Sequence, residues 1–176
     1  LRHLAVRPDR WGRGLGSAAM ATVLAALDRR GCTITAIDIS DVALCRAREA
    51  AESAGAAVEW VCGDVLQTPF PARSFDLVSM QYPALPEAAG EPAARRLLDA
   101  VRPGGLLLAV YHDLGDEHRE HMKSRGVDPA DYVDADDLGR LLGEDFTVER
   151  HAVEPRIDPP PGTPDIADVV LRARRR

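Results

Sequence analysis

The distribution of apolar residues along the chain follows two alternating periods. Runs rich in β-branched and apolar residues predict strands. Between them lie segments with apolar residues at helical spacing, as where Met20, Val23, Leu24 and Leu27 share one helix face. The predicted strands are 1–6, 32–40, 57–64, 74–82, 106–113, 146–154 and 166–174, and the predicted helices are 17–30, 41–54, 91–101, 115–125 and 134–143.

The order of these elements predicts the fold class. Strands and helices alternate until two final strands, which are joined by the proline-rich segment "PRIDPPPGTP" and therefore favour antiparallel pairing. "RPGG", at 102–105, predicts a stop between a helix and a strand. We therefore expect one α/β domain over 1–176, a Rossmann-like three-layer sandwich. Its sheet is mostly parallel, with one antiparallel strand near the C-terminal edge.

Composition narrows the function classes. The chain has 176 residues, 45% of them hydrophobic and 28% charged, and its net charge of −6 argues against a general nucleic-acid binder. No apolar run is long enough to cross a membrane, and no signal-peptide pattern opens the sequence. Cys32, Cys45 and Cys62 fit no metal-ligand spacing, so we expect reduced thiols in a cytoplasmic protein. His118 and His121 favour a solvated polar helix over a metal site, so no metal is predicted.

Acidic residues end two of the predicted strands. In a parallel sheet, ligands bind outside the carboxyl ends of the strands, at the switch point in strand order. Asp38 ends "ITAIDIS" and can accept hydrogen bonds from ribose hydroxyls, while Asp64 in "CGDV" can accept from an adenine amino group. Such acids also serve as N-caps of the following elements, and Asp41 is a plausible cap of the helix after "DIS".

Residues from about 32 to 176 resemble the class I S-adenosylmethionine-dependent methyltransferases that act on small molecules. The matching segments are "ITAIDISDVALCRAREAA", "VEWVCGDV", "FPARSFDLVSMQY", "LLDAVRPGGLLLAVYHD" and "PPPGTPDIADVVLRARRR". The resemblance implies S-adenosylmethionine as cofactor and a small-molecule methyl acceptor. It also implies that Asp38 holds the ribose, that Ile39 packs near the adenine, that Asp64 and Val65, after Gly63, bind the adenine edge, and that Gln81 and Tyr82 lie near the methionine part or the acceptor.

The glycine-rich loop "RPDRWGRGLGSAAM" places Gly12, Gly14 and Gly16 at alternate positions before a helix, a layout that turns backbone amides towards a ligand. These glycines are candidate cofactor-binding residues. The loop departs from the first methyltransferase motif, however, because residue 10, where that family has an acid, is an arginine. Residues 1–31 instead resemble the acetyl-coenzyme A motif of GNAT-type N-acetyltransferases, which implies that amides around Arg13 cradle a pyrophosphate.

Three functions follow from these patterns. The first is methyl transfer from S-adenosylmethionine to a small molecule by direct displacement, for which no catalytic residue is assigned. The second is an acetyl-coenzyme A-dependent acetyltransferase fragment or fusion, and the third is a non-catalytic domain whose cofactor pocket is impaired. Because two motifs meet near Gly31–Ile34, we expect a junction of two families, natural or artefactual. His112 is placed to orient an acceptor or to accept its proton.

Overall fold

A computed structural model describes residues 2–6, 26–156 and 167–176. Within these ranges, seven strands form one sheet and four α-helices accompany it. The strands are Arg2–Val6 (β1), Thr33–Asp38 (β2), Glu59–Cys62 (β3), Phe75–Gln81 (β4), Val101–His112 (β5), Phe146–Pro155 (β6) and Ala167–Arg175 (β7). The helices are Asp41–Ser53 (α1), Glu87–Ala100 (α2), Asp116–Ser124 (α3) and Ala135–Leu141 (α4), with short 3-10 helices at Pro129–Asp131 and Gly143–Asp145.

The strand order is β3-β2-β1-β4-β5-β7-β6. Strands β1 to β5 pair in parallel, whereas β7 runs antiparallel to both β5 and β6. The chain winds outwards from β1 to β3 and then returns to place β4 on the other side of β1. The switch point in strand order therefore lies between β1 and β4. The predicted fold class, with its antiparallel strand near the C-terminal edge, is confirmed.

Several element bounds differ from the prediction. Helix α2 begins at Glu87, four residues before the predicted start, and carries Pro92 near its first turns. "RPGG" does separate α2 from the regular part of β5, but it belongs to the strand itself: the register with β4 shifts there, and Gly104 has φ +74°. The N-cap of α1 is Ser40, whose hydroxyl accepts from Ala43 N–H, and not Asp41.

The predicted helix over 17–30 lies largely outside the described residues. Its last described part, residues 26–28, is helical, and Gly31 follows with φ +72° and a hydrogen bond from its N–H to the carbonyl of Asp28. A positive φ is costly for residues that carry a Cβ, so glycine ends this helix as predicted.

Two apolar clusters lie on opposite faces of the sheet. Ile34 belongs to the smaller one and Ile37 to the larger one; an odd separation along a strand turns side chains to opposite faces. The larger cluster combines the inner positions of β4, β5 and β7 with apolar positions of α2 and α4, among them Val78, Leu97, Leu107, Leu138 and Leu171. The main core therefore lies between the helices α2 and α4 and the C-terminal half of the sheet.

Tyr111, on β5, places its hydroxyl group in this core. Its ring is buried, and within the described part of the chain its hydroxyl has no hydrogen-bond partner. Burial raises the pKa of Tyr111, and the carboxylates of Asp134 and Asp137 act in the same direction. The hydroxyl stays protonated, and it costs stability because it has left its hydrogen bonds with water.

We expect Tyr111→Phe to raise the free energy of unfolding by about 1 kcal/mol, because an unsatisfied buried hydroxyl is removed with little change in shape. Urea unfolding monitored by circular dichroism measures the difference. Tyr82→Phe is the matched control: its hydroxyl donates to Asp168 at 2.9 Å, so its loss should destabilise the protein. A loss of stability in Tyr111→Phe would show that its hydroxyl has a partner.

Candidate functional site

The carboxyl ends of β2, β3, β4, β5 and β6 and the amino end of β7 meet at one edge of the sheet. Side chains alternate between the two faces along each strand. Asp38, Gln81, His112 and Asp168 fall at the alternate positions to Ile37, Met80, Tyr111 and Val169, which pack with the main core. These four polar side chains therefore share the opposite face, across the switch point.

Asp38 is the most buried acid at this edge, with 5% of its surface exposed. Its Oδ1 accepts a hydrogen bond from Ser40 N–H at 2.8 Å, and its carbonyl accepts from Gly63 N–H at 3.0 Å. These bonds hold the ends of β2 and β3 together. The next residue, Ile39, is 67% exposed, an unusual position for a large apolar side chain beside a buried carboxylate.

The turn after β3 is tightly built. A Cβ on Gly63 would lie 2.9 Å from Thr68 Oγ1, so a larger residue here would displace the hydroxyl that donates to the Asp64 carbonyl at 2.8 Å. Asp64 Oδ1 accepts from Leu66 N–H at 2.8 Å, so this acid does cap its own turn. Val65 is buried in the main core, and its side chain cannot face a ligand at the sheet edge. Of the two side chains predicted to bind the adenine edge, Val65 thus points into the core and Asp64 caps the turn.

At the end of β4, Gln81 Nε2 donates to Ser79 Oγ at 2.8 Å. Tyr82 follows with φ +51°, a conformation that is strained for a residue with a Cβ, and its N–H bonds Val110 O at 2.7 Å. Strain of this kind in a non-glycine residue often accompanies a functional site. Here it directs the Tyr82 ring towards the end of β5.

Tyr82, His112, Arg156 and Asp168 form one connected group, called here the edge cluster. The rings of Tyr82 and His112 stack with centroids 4.1 Å apart and planes 18° apart. Asp168 Oδ2 accepts from Tyr82 Oη at 2.9 Å, and Asp168 Oδ1 accepts from Arg156 Nε at 2.9 Å. Arg156 Nη2 lies 3.1 Å from Tyr82 Oη and 2.7 Å from His112 Nδ1. The edge cluster ties together the ends of four strands.

Burial and charge act together in the edge cluster. Burial raises the pKa of Tyr82, and the Asp168 carboxylate adds to this effect, so the phenol stays protonated. For Asp168, burial alone would raise the pKa, but the His112 ring 3.7 Å away and the hydrogen bonds from Arg156 and Tyr82 outweigh burial, and the net pKa is lowered. Asp168 and Arg156 therefore remain a charged pair at neutral pH.

The lowered pKa of Asp168 predicts a dependence of stability on pH. The folded pKa lies below the ordinary value of 3.8, so the stabilisation is present above that value and is lost as pH falls through the folded pKa. We expect Asp168→Asn to unfold at a lower urea concentration than the wild type at pH 7. The gap should narrow steadily below pH 4. An equal difference between the urea midpoints of the two proteins at pH 7 and below pH 4 would show that the charge of Asp168 is not involved.

Sequence reasoning missed Arg156 and Asp168. A signal was present in the sequence: antiparallel pairing of the two C-terminal strands places the start of β7 beside the end of β6. The end of β5 lies at the same edge of the sheet. The observed register pairs His112 with Asp168 and Asp168 with Glu154. Arg156 follows β6 at the same edge. No local motif marks either residue.

Three further observations concern the glycine-rich loop, metal ligands and membrane spans. Gly12, Gly14 and Gly16, with the arginines of their loop, lie outside the described residues. In the described ranges, no group of three metal-ligating side chains could hold a metal ion. None of the helices described there is long and apolar enough to cross a membrane.

Solved structures share this architecture over nearly the whole chain. An N-methyltransferase, NodS, from Bradyrhizobium japonicum WM9, in complex with S-adenosyl-L-homocysteine, has a TM-score of 0.68 at 19% identity, covering 99% of this chain and 77% of that one. An S-adenosylmethionine-dependent methyltransferase from Methanosarcina mazei has a TM-score of 0.66 at 20% identity, covering 99% and 92%. A structure concerning conversion of a disulfide bond into a thioacetal group during echinomycin biosynthesis has a TM-score of 0.68 at 23% sequence identity. The alignment covers 99% of this chain and 75% of that one. At these identities the likeness establishes the fold.

The sheet order and the acidic strand ends define an α/β protein with polar residues gathered at a topological switch point. Residues 13–105 match the family described as methyltransferase domain, and the chain belongs to that family. The predictions of a methyltransferase, of an enzyme and of S-adenosylmethionine as its cofactor are confirmed at this level. The match begins within the glycine-rich loop and includes Gly14 and Gly16. No curated protein sequence matches the chain.

Proposed function

We propose that this protein transfers the methyl group of S-adenosylmethionine to a small-molecule acceptor by direct displacement, within a single domain over 1–176. The observation that carries the proposal is the meeting of Asp38, Gln81 and the edge cluster on one face beside the switch point between β1 and β4. That crevice is where open α/β sheets bind nucleotide-like ligands.

The cofactor spans this crevice from β2 towards β4. Asp38 accepts hydrogen bonds from the ribose hydroxyls, and exposed Ile39 covers one face of the adenine. The turn of Gly63 and Asp64 borders the adenine edge, to which Val65 contributes its main chain. Gln81 and Tyr82 border the methionine part, two strand spacings or ~10 Å from β2. Gly12, Gly14 and Gly16 bring main-chain amides to the cofactor.

The chemistry asks little of the protein beyond placement. The sulfonium carbon is already a strong electrophile, so the chain must hold the acceptor in line with the methyl group and exclude water. The segments after Tyr82 and His112 bound the acceptor. The likeness to a structure concerning echinomycin biosynthesis supports an acceptor that is small.

Calorimetric titration tests the proposal against its alternatives. S-adenosylhomocysteine should bind the wild-type chain, and acetyl-coenzyme A should not. Binding of acetyl-coenzyme A alone, with affinity lost in Arg13→Ala, would support an acetyltransferase function of the first 31 residues. If neither ligand bound, both enzyme functions would be wrong and the domain would be non-catalytic.

A further inference from the structure

The contact between Arg156 and His112 fixes where the histidine carries its proton. Arg156 Nη2 lies 2.7 Å from His112 Nδ1. A guanidinium has only N–H donors and stays protonated in proteins, so it cannot accept a hydrogen bond. His112 Nδ1 must therefore accept with its lone pair, which leaves the proton of the neutral ring on Nε2.

The rival arrangement pairs His112 with Asp168. In it, Nδ1–H would donate to the carboxylate and Nε2 would be a lone-pair acceptor, as a general base requires. The distance from His112 Nδ1 to Asp168 Oδ1 is 3.7 Å, too long for a hydrogen bond. The same oxygen already accepts from Arg156 Nε at 2.9 Å. Arg156 therefore lies between the histidine and the carboxylate and reverses the tautomer that the carboxylate would select.

The His112 ring has a fixed orientation and lies on the acceptor side of the crevice. Its stack on Tyr82 limits rotation, and 28% of the side chain is exposed. Strand β5 is the neighbour of β4 on the side away from β2, so His112 is one strand spacing, ~5 Å, beyond the predicted methionine part.

We propose that Arg156 is a positioning residue that fixes His112 in the Nε2–H tautomer, so that His112 donates a hydrogen bond to an oxygen of the methyl acceptor and does not remove its proton. The assignment of the acceptor rests on the proposed function. The acceptor class is an amine that carries a carboxylate or carbonyl oxygen.

An amine suits a histidine that donates. The acceptor nitrogen, an ammonium ion at neutral pH, first loses a proton to water. The neutral nitrogen then attacks the methyl carbon with its lone pair, the carbon–sulfur bond breaks, and its electron pair stays on sulfur as S-adenosylhomocysteine leaves. The product nitrogen is then a cation that loses its proton to water. No step needs His112 as a base; its hydrogen bond orients the acceptor oxygen, and so the nitrogen, towards the methyl group.

Nitrogen-15 NMR of the imidazole rings tests the tautomer without any substrate. At a pH well above the His112 titration midpoint of the same sample, the wild type should show protonated Nε2 and unprotonated Nδ1. Arg156→Met leaves Asp168 Oδ1 near Nδ1 and should move the proton to Nδ1 in most molecules. Arg156→Lys restores a donor at Nδ1 and should restore the Nε2–H tautomer.

Arg150→Met is the matched control. Arg150 lies on β6 and pairs with Glu154, away from the contacts of His112, so its loss should leave the tautomer unchanged. Protonated Nδ1 in the wild type would overturn the proposal. So would an unchanged Nε2–H tautomer in Arg156→Met, because His112 would then not depend on Arg156.

The acceptor class is tested on the protein loaded with S-adenosylhomocysteine. Glycine, glycinamide and ethylamine differ in the oxygen that would meet His112. The first two should shift the Nε2–H resonance and bind about tenfold more tightly than ethylamine, an effect expected for one hydrogen bond. Equal binding of ethylamine, or no shift with any of the three, would overturn the assignment of the acceptor. A failure of S-adenosylhomocysteine to bind would instead overturn the proposed function, because the tautomer is measured separately.

Discussion

Asp38→Ala should weaken the binding of S-adenosylhomocysteine about 100-fold, or ~2.7 kcal/mol. In the proposed site, the buried carboxylate accepts from both ribose hydroxyls through charge-assisted hydrogen bonds, and alanine removes this acceptor. Asp38→Asn should lose less, because an amide oxygen still accepts one bond. Isothermal titration calorimetry measures all three affinities.

Asp41→Asn is the matched control for this prediction. Asp41 is an exposed acid three residues further on, and its carboxylate accepts from Val42 N–H outside the crevice. Its replacement should leave the affinity for S-adenosylhomocysteine within about twofold, since an exposed charge contributes little. Urea unfolding of each variant separates lost binding from lost folding, because Asp38 also holds Ser40 N–H. Unchanged affinity in a folded Asp38→Ala protein would place the ribose elsewhere.

Arg175→Met should lower the free energy of unfolding by about 3 kcal/mol. This guanidinium is only 7% exposed. Its Nη1 donates to the carbonyls of Leu98 at 3.0 Å, Asp99 at 3.3 Å and Val101 at 3.1 Å, where α2 ends and β5 begins. Methionine fills much of the volume but removes all three of these hydrogen bonds, although Leu98 O and Asp99 O keep main-chain donors in Val101 and Arg73. Urea unfolding at pH 7 measures the loss.

Arg172→Met tests whether any arginine of β7 would have the same effect. Arg172 is about half exposed and pairs with Glu149 across the edge of the sheet. Exposed ion pairs contribute little, so this variant should lose under about 1 kcal/mol. If Arg172→Met and Arg175→Met were equally destabilised, the carbonyl contacts of Arg175 would not explain its contribution.

Local patterns predicted most of the fold because strand and helix periods are set by neighbours along the chain. The buried run over 33–38 and the strong strand over 106–112 were identified by their apolar content. The prediction of the first turns of α2 was less accurate. The predicted helix 91–101 began just before Pro92, yet the observed helix begins at Glu87 and carries Pro92 within it. Packing of α2 on the main core outweighs the local cost of the proline.

Candidate site residues at strand ends were also predictable, because parallel strands bring their carboxyl ends to one edge. Asp38 and Tyr82 were named as candidates in this way, and their role in binding stays a prediction. The direction of the Val65 side chain, which turns into the main core, was not predictable, whereas the capping of its own turn by Asp64 was one of the two alternatives that the sequence left open. The face to which a side chain points after a strand ends depends on the turn, which residue type alone does not determine.

The α/β class, the antiparallel final strand and the acids at the carboxyl edge could all be predicted from the sequence, because each depends on periodicity, turn residues or strand polarity. The edge cluster could not be predicted in this way, because it forms only through tertiary contacts. Tyr82, His112, Arg156 and Asp168 come from four separate elements, and Asp168 lies 86 positions from the Tyr82 hydroxyl that it bonds. Only the pairing of β7 with β5 brings them together, and only their distances show that the arginine, not the carboxylate, bonds the histidine.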